Sequence, residues 1–221
     1  MKTDVHAFMA NVRAALGRDT TVRPSQPPPP VDESIARLAG PDDDLLAMFQ
    51  QRAEEVGMVV HRLKESELLE TVTRVLKQFN ARSIVAAMSD GADLRSGMSE
   101  AGFEVVDGRE VGFDAQFDID AGVTDVHAAL AETGTLICTS SRTHSRGPSL
   151  VVPLHIAIVR RRDVLPDMID YWHRLKGIAA PDLPSSMALI TGPSKTADIE
   201  NILVTGVHGP KDVQIMLVED A

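Results

Sequence analysis

A single cysteine, Cys138, stands in the 221 residues of the chain. One thiol excludes an internal disulfide, and it excludes an iron-sulfur cluster or a thiolate zinc site ligated by this chain alone. Cys138 lies in the apolar run TLIC, which marks it as a buried small hydrophobe rather than a nucleophile. Aromatic residues are scarce, at 4%, so stacking platforms for single strands are lacking, and a formal net charge of -10 repels phosphate backbones. No nucleic acid partner is expected. No apolar run is long enough to span a membrane, and the opening MKTDVHAFMANVRAALGR is interrupted by Asp4, His6, Asn11 and Arg13 before a signal-peptide core can form. The expected location is cytoplasmic.

Familiar catalytic signatures are absent as well. No GxGxxG or HExxH occurs, and PSKT lacks the glycines of a phosphate-binding loop because Leu189 and Ser194 stand in their places. Neither GPSLV nor GPSKT has the second glycine of a nucleophile elbow. The seven histidines keep no tight ligand spacing, so His127, His144, His155 and His208 are read as hydrogen-bonded or solvated side chains. Neither a metal nor a cofactor is expected in this chain.

What the chain does have is periodicity. Residues 1–18 place Val5, Phe8, Met9, Val12 and Leu16 at helical spacing behind a Thr3/Asp4 cap, with Gly17 as a stop, and so predict an amphipathic helix. Over 19–40 the stretch DTTVRPSQPPPPVDES predicts an extended linker. The apolar stripe of such an arm needs a cover: the body, a second copy in a homo-oligomer, or another protein. From 41 to 221 helical and apolar strand patterns alternate. The strands are MVVHRL, SIVAAM, FEVVDG, TLICTS, HIAIV, MALIT and VQIMLVE, and helices are predicted between them, including VTDVHAALAETG and TADIENILV. Strands that are apolar throughout and separated by helices predict an α/β fold, a three-layer sandwich around a mostly parallel sheet.

Charge is unevenly spread over that body. Between Thr133 and Arg162 there is no Asp or Glu, whereas Arg142, Arg146, Arg160, Arg161 and Arg162 all fall there. In a parallel sheet the loops leaving the carboxyl ends of the strands gather on one edge, where such folds bind ligands. The loops SSRTHSRG, RRRD and GPSKT would share that edge if their strands are mutually parallel. Ser194 or Thr196 would then cap TADIENILV, and its N-terminus together with Lys195 would hold a carboxylate or phosphate, unless Asp198 and Glu200 satisfy the dipole themselves. Glu132, in the last turn of the helix predicted over VTDVHAALAETG, would face the negative end of the dipole at a cost of about 0.3–1 kcal/mol. It is either exposed or paired with an arginine, and in the second case it is a candidate base or nucleophile.

AETGTLICTS, PLHIAIV and GPSKTADIENILVTGVHGPKDVQIMLVED resemble the lactate-utilisation (LUD) domain family in its small C-type branch, in order and spacing over the C-terminal part of the chain. The resemblance implies a fold similar to CoA transferases, ribose-5-phosphate isomerase and glucosamine-6-phosphate deaminase. It implies an accessory subunit of a system that oxidises L-lactate to pyruvate, with iron-sulfur clusters carried by oxidoreductase partner chains. Positions that match are Glu132, Thr133, Gly134, Arg146, His155, Gly192, Ser194, Lys195, Thr196, Asp198, His208 and Gly209. Relatives are often glycine-rich where this chain has SSRTHSRGP, so no role carries over to residues 141–145. The implied subunit holds a small carboxylate or docks the redox partners. The alternatives are a stand-alone CoA-transferase-like or sugar-phosphate-isomerase-like enzyme, with Glu132 as nucleophile or base and Lys195 and Arg146 steering the anion, and a small-molecule sensor.

Overall fold

A computed structural model describes residues 4–17, 32–40, 42–89, 91–112, 114–140, 145–179, 182–197, 203–206 and 208–221. The chain divides into two units, Met1–Ile35 and Ala36–Ala221. In the first, α1 (Val5–Ala15) is opened by Asp4, whose carboxylate accepts from the amides of His6 and Ala7, and none of its residues is buried. Gly17, at φ +61°, stops it as the sequence predicts. Residues 18–31, most of the expected linker, lie outside the described residues.

The second unit begins with α2 (Leu45–Glu55), capped by the Asp44 carboxylate, and β1 (Val59–Leu63). Two crossovers follow: α3 (Leu68–Gln78) leads to β2 (Ser83–Ala87), and α4 (Ala92–Glu100) leads to β3 (Glu104–Asp107). Next come β4 (Ala121–Asp125), β5 (Ala128–Leu130) and β6 (Thr135–Ser140), the short helix α5 (Gly147–Leu150), and β7 (Leu154–Arg160). The chain ends through β8 (Val164–Leu165), α6 (Met168–Leu175), β9 (Ser186–Ile190), β10 (Lys195–Ala197), β11 (Leu203–Thr205) and β12 (Asp212–Val218).

Six strands form one sheet in the order β1-β12-β7-β4-β2-β3, every neighbour parallel. This is the parallel sheet predicted from apolar strands between helices. Strand alternation sends its side chains to two different layers. Ile156 and Ile158 of β7 face α3 and α4, packing with Leu68, Val72, Val75, Leu76 and Met98. That stripe of α3 sits at helical spacing, and each side chain contributes roughly 1.5–3 kcal/mol by leaving water. Ala157 and Val159, one residue out of phase, face the other way, toward Leu46, Phe49 and Ala53 of α2 and toward a second sheet.

That second sheet, β8-β5-β6-β9, is where the structure departs from expectation. VTDVHAALAETG is not a helix. It supplies the end of β4, the whole of β5 and a turn. Ala129 packs toward the large sheet, and Ala128 and Leu130 pack toward Tyr171 and Leu175 of α6, the period-2 signature of a strand buried on both faces. TLICTS and MALIT belong to this sheet, and they run antiparallel, Leu136 opposite Ile190 and Ser140 opposite Ser186. TADIENILV is not a helix either: its described ends are β10 and β11, an antiparallel pair, and 198–202 lie outside the described residues.

Candidate functional site

Strand order locates the site before any side chain does. From β2 the chain crosses to β3 on one side, and from β4 it leaves for β7 on the other, so the neighbours β2 and β4 send their loops in opposite directions. Such a switch point leaves a crevice beyond the carboxyl ends of the strands, where open α/β sheets bind ligands. A cavity of about 160 Å³ lies there, lined by Ala87 and Ser89 at the end of β2, Thr124, Asp125 and His127 at the end of β4, and Arg146 and Ser149 around α5, among others. It has room for a metabolite of a few carbons rather than a drug-sized ligand.

Backbone approach forms its wall. A side chain at Gly122 would bring its Cβ to 1.8 Å from the Pro148 carbonyl oxygen, so only glycine lets α5 lie directly on β4. This packing brings Ser145, Arg146 and Ser149 to the crevice. Arg146 is exposed and donates through Nη1 to Ser186 Oγ at 3.2 Å, and it is the only Lys or Arg among the described lining residues. Across from it the Ser89 amide donates to Asp125 Oδ2 at 2.8 Å.

Beneath the cavity the layer is polar but closed. His155 is fully buried on β7, and its Nε2 lies 2.9 Å from Thr124 Oγ1. Burial pushes its pKa down to about 4, so the imidazole is neutral at pH 7. Burial likewise pushes the Cys138 thiol up to about 12, against the pull of hydrogen bonds from Thr124 and Ser149. A thiol held protonated is no nucleophile at neutral pH. His127 is half-buried, with Nδ1 3.0 Å from the Tyr171 hydroxyl, and its pKa is lowered first by desolvation and then by Arg174.

The residues singled out in the sequence do not all meet here. Arg146 lines the cavity. Arg160, at the carboxyl end of β7, lines an adjoining cavity of about 110 Å³ that shares Asp125. Arg142 and His144 lie outside the described residues, and Arg161 and Arg162 are exposed. The Lys195 group sits at the opposite, amino edge of the parallel sheet. There the Ser194 amide donates to Pro210 O at 2.8 Å, just before β12 begins, and Gly209 packs on Ser194 and on the Leu150 carbonyl. Lys195 Nζ reaches the carbonyl of Val56, the C-cap of α2, at 3.3 Å. Gly192, at φ +98°, fits against that same carbonyl, and His208 is exposed.

The expected common rim of Arg146 and Lys195 is therefore not formed. It required β6 and β9 to run parallel; they run antiparallel, so the loops after them leave at opposite ends. Nor does Ser194 or Thr196 cap a helix, because the strand β10 begins at Lys195, and Thr196 is paired with Val204 in the antiparallel ladder of β10 and β11. Asp198 lies outside the described residues. Glu132 occupies the turn between β5 and β6 rather than the last turn of a helix, and its carboxylate accepts from the amide of Ala39 at 2.8 Å and from that of Leu38. Beside it Thr133 Oγ1 lies 2.7 Å from Thr135 Oγ1, and Gly134, at φ +64°, packs on the backbone of Ala53.

Comparison with known proteins agrees with this architecture. The LUD domain model matches residues 46–218. The chain belongs to the LUD domain family. It is 30% identical over 225 residues, 96% of each chain, to a protein of Halalkalibacterium halodurans named "Lactate utilization protein C". A protein of the same name from Oceanobacillus iheyensis is 28% identical over 229 residues, covering 96% of this chain and 97% of that one. Among solved structures, a DUF162 family protein from Deinococcus radiodurans superposes with a TM-score of 0.59 at 20% identity, covering 86% of this chain and 99% of that one. This last likeness speaks for the fold alone.

The LUD match runs from α2 to the end of β12 and so includes every strand of the three sheets and every described residue of the cavity. Thr124, Asp125 and Ser149 line this cavity although no sequence motif pointed to them. Taking VTDVHAAL for a helix hid the first two. The usable signal was the short apolar run AGV ending in Thr124 and Asp125, which reads as a strand that stops at a polar mouth.

Proposed function

We propose that this protein serves lactate utilisation as an accessory subunit. In this reading it holds a small carboxylate, L-lactate or its oxidation product pyruvate, in the cavity between β2 and β4. Electron transfer falls to iron-sulfur oxidoreductase partner chains, because a single cysteine, pushed to the thiol form by burial, cannot ligate a cluster. The observation that carries the reading is the switch-point cavity with Arg146 on its wall: a guanidinium pairs with a carboxylate through two parallel hydrogen bonds. The shared name of the relatives supplies the substrate class. Glu132 lends no support to a stand-alone enzyme, since its carboxylate is engaged by the Leu38 and Ala39 amides, away from Arg146.

Calorimetric titration of the purified chain with L-lactate and with pyruvate tests the reading. Binding of at least one is expected, and Arg146→Ala should weaken it by about tenfold or more, the scale of a lost charged hydrogen bond. Absence of heat with both acids rejects it. A pull-down from lactate-grown cells, scored by iron-sulfur absorbance of the eluate, tests the partner assignment separately.

A further inference from the structure

Gln116 is wholly buried, yet its surroundings satisfy only half of its amide. It sits in the single turn Asp114–Asp118 that precedes β4, and its side chain reaches the loop that carries Arg146. Its Nε2 donates to the Val111 carbonyl at 3.1 Å and to Ser145 Oγ at 3.4 Å, while its Oε1 has no hydrogen-bond partner among the described residues. Turning the amide over would set an oxygen against the Val111 carbonyl, so the network fixes this orientation. Gly147, the residue after Arg146, lies so close that a Cβ there would stand 1.7 Å from Gln116 Oε1. A buried polar group left half satisfied is costly, and a methionine of similar volume would fill the same space without that cost. What the glutamine supplies and a methionine does not is an N–H directed at Ser145.

Among the described residues the hydroxyls of Ser89, Thr124, Thr139, Ser145 and Ser149 line the cavity, and Ser145 is set apart by its neighbours. A hydroxyl has two acceptor sites and one proton. Both acceptor sites of Ser145 Oγ are taken by N–H groups, Gln116 Nε2 and the Gly147 amide, each at 3.4 Å. The proton is thereby turned away from them, and among the described residues no acceptor receives it. Ser149 differs, since its hydroxyl donates to the Arg146 carbonyl at 3.1 Å. The charges on the lining leave work for such a donor. Arg146 is the only Lys or Arg among the described lining residues, and Asp125 brings a negative charge. His127 adds no positive charge at pH 7, because burial lowers its pKa below 6.5. We propose that Ser145 donates its hydroxyl proton to the carboxylate that Arg146 holds, and that Gln116 is the positioning residue that turns the hydroxyl toward it; the proposal rests on the reading of the cavity as a carboxylate site. Ser145 and Arg146 are consecutive and line one cavity, so a single loop offers a neutral and a charged donor to the same anion.

The test is titration calorimetry of the full chain at neutral pH with L-lactate and with pyruvate. It uses the wild type, Arg146→Ala, Ser145→Ala, Gln116→Met and the double variant of Ser145→Ala with Gln116→Met, each checked for folding by circular dichroism. Ser145→Ala should weaken whichever acid binds by about fivefold or more, the scale of a hydrogen bond to a charged group. Gln116→Met should weaken it by about threefold or more on its own and by less than about twofold on top of Ser145→Ala, because it acts through that hydroxyl. A glutamine with a merely structural role would cost the same in both backgrounds, and equal losses overturn the positioning. Wild-type affinity in Ser145→Ala, with the loss confined to Arg146→Ala, would overturn the proposal and leave the carboxylate site standing. Failure of both acids to bind the wild type would overturn both. Should Gln116→Met not fold, Gln116→Asn takes its place: its amide falls one methylene short of Ser145, and the same pair of losses is expected.

Discussion

Full burial of His155 costs free energy that the fold offsets with one hydrogen bond, Nε2 to Thr124 Oγ1. Among the described residues its Nδ1 has no hydrogen-bond partner. The sign of the resulting pH dependence follows from the two states. The unfolded chain takes up the proton near the ordinary value of 6.5, whereas the folded chain takes it up only near 4. Between those values the unfolded state holds more protons, so stability falls as pH drops from about 6.5 toward 4, by on the order of 3 kcal/mol over the whole window. Thermal unfolding at pH 7, 6 and 5 should show a steeper loss of Tm in the wild type than in His155→Gln. Identical slopes would mean that His155 is not the group being titrated. Some slope should remain in the variant, because His127 is shifted in the same direction. Individual residues were unevenly legible: TLIC announced a buried Cys138, while His155, one polar letter in an apolar strand, gave no hint that it lies under a cavity floor.

Elements separate what propensity shows from what packing decides. The helices α2, α3 and α4 were readable because each pairs a 3.6-residue stripe with a recognisable end. β4 and β5 were not, because Thr124 and Asp125 are good caps and three alanines follow, the strongest local case for a helix. Burial between the two sheets and α6 overrides that preference. The same contrast explains Lys195. Its charge between two hydroxyls suggested an anion site, but the strand β10 places it against the negative end of α2, where a cation contributes about 0.3–1 kcal/mol. Lys195→Met should therefore lower stability to denaturant by that small amount and leave lactate binding by the Arg146 cavity within about twofold, since charges at opposite sheet edges are separated by more than a Debye length. A loss of binding comparable with that of Arg146→Ala would return Lys195 to the site.

At the scale of the whole molecule, the apolar strands disclosed a parallel sheet but not that a second sheet would cover it, because covered strands look alike whichever layer covers them. The boundary of the body is set by polar contacts that composition does not reveal. Arg37 pairs with Asp167 at 3.1 Å and with Asp170 at 2.9 Å, and Glu132 holds the amides of Leu38 and Ala39, so residues 37–39 belong to the second unit although they border the proline-rich stretch. Asp167 also caps α6 by accepting from the Asp170 amide, and it is buried. Without Arg37, the two carboxylates at the start of α6 lose their shared cation, and one of them stays out of water, an arrangement that costs far more than losing a surface ion pair. Two truncations separate these contributions. A chain starting at Ala36 should unfold at the same denaturant midpoint as the full protein, because none of the described residues before it belongs to a core cluster. A chain starting at residue 41 should be less stable by roughly 1–3 kcal/mol, the cost of stranding a buried polar group. If both truncations unfold alike, the tether of residues 37–39 contributes nothing to the body.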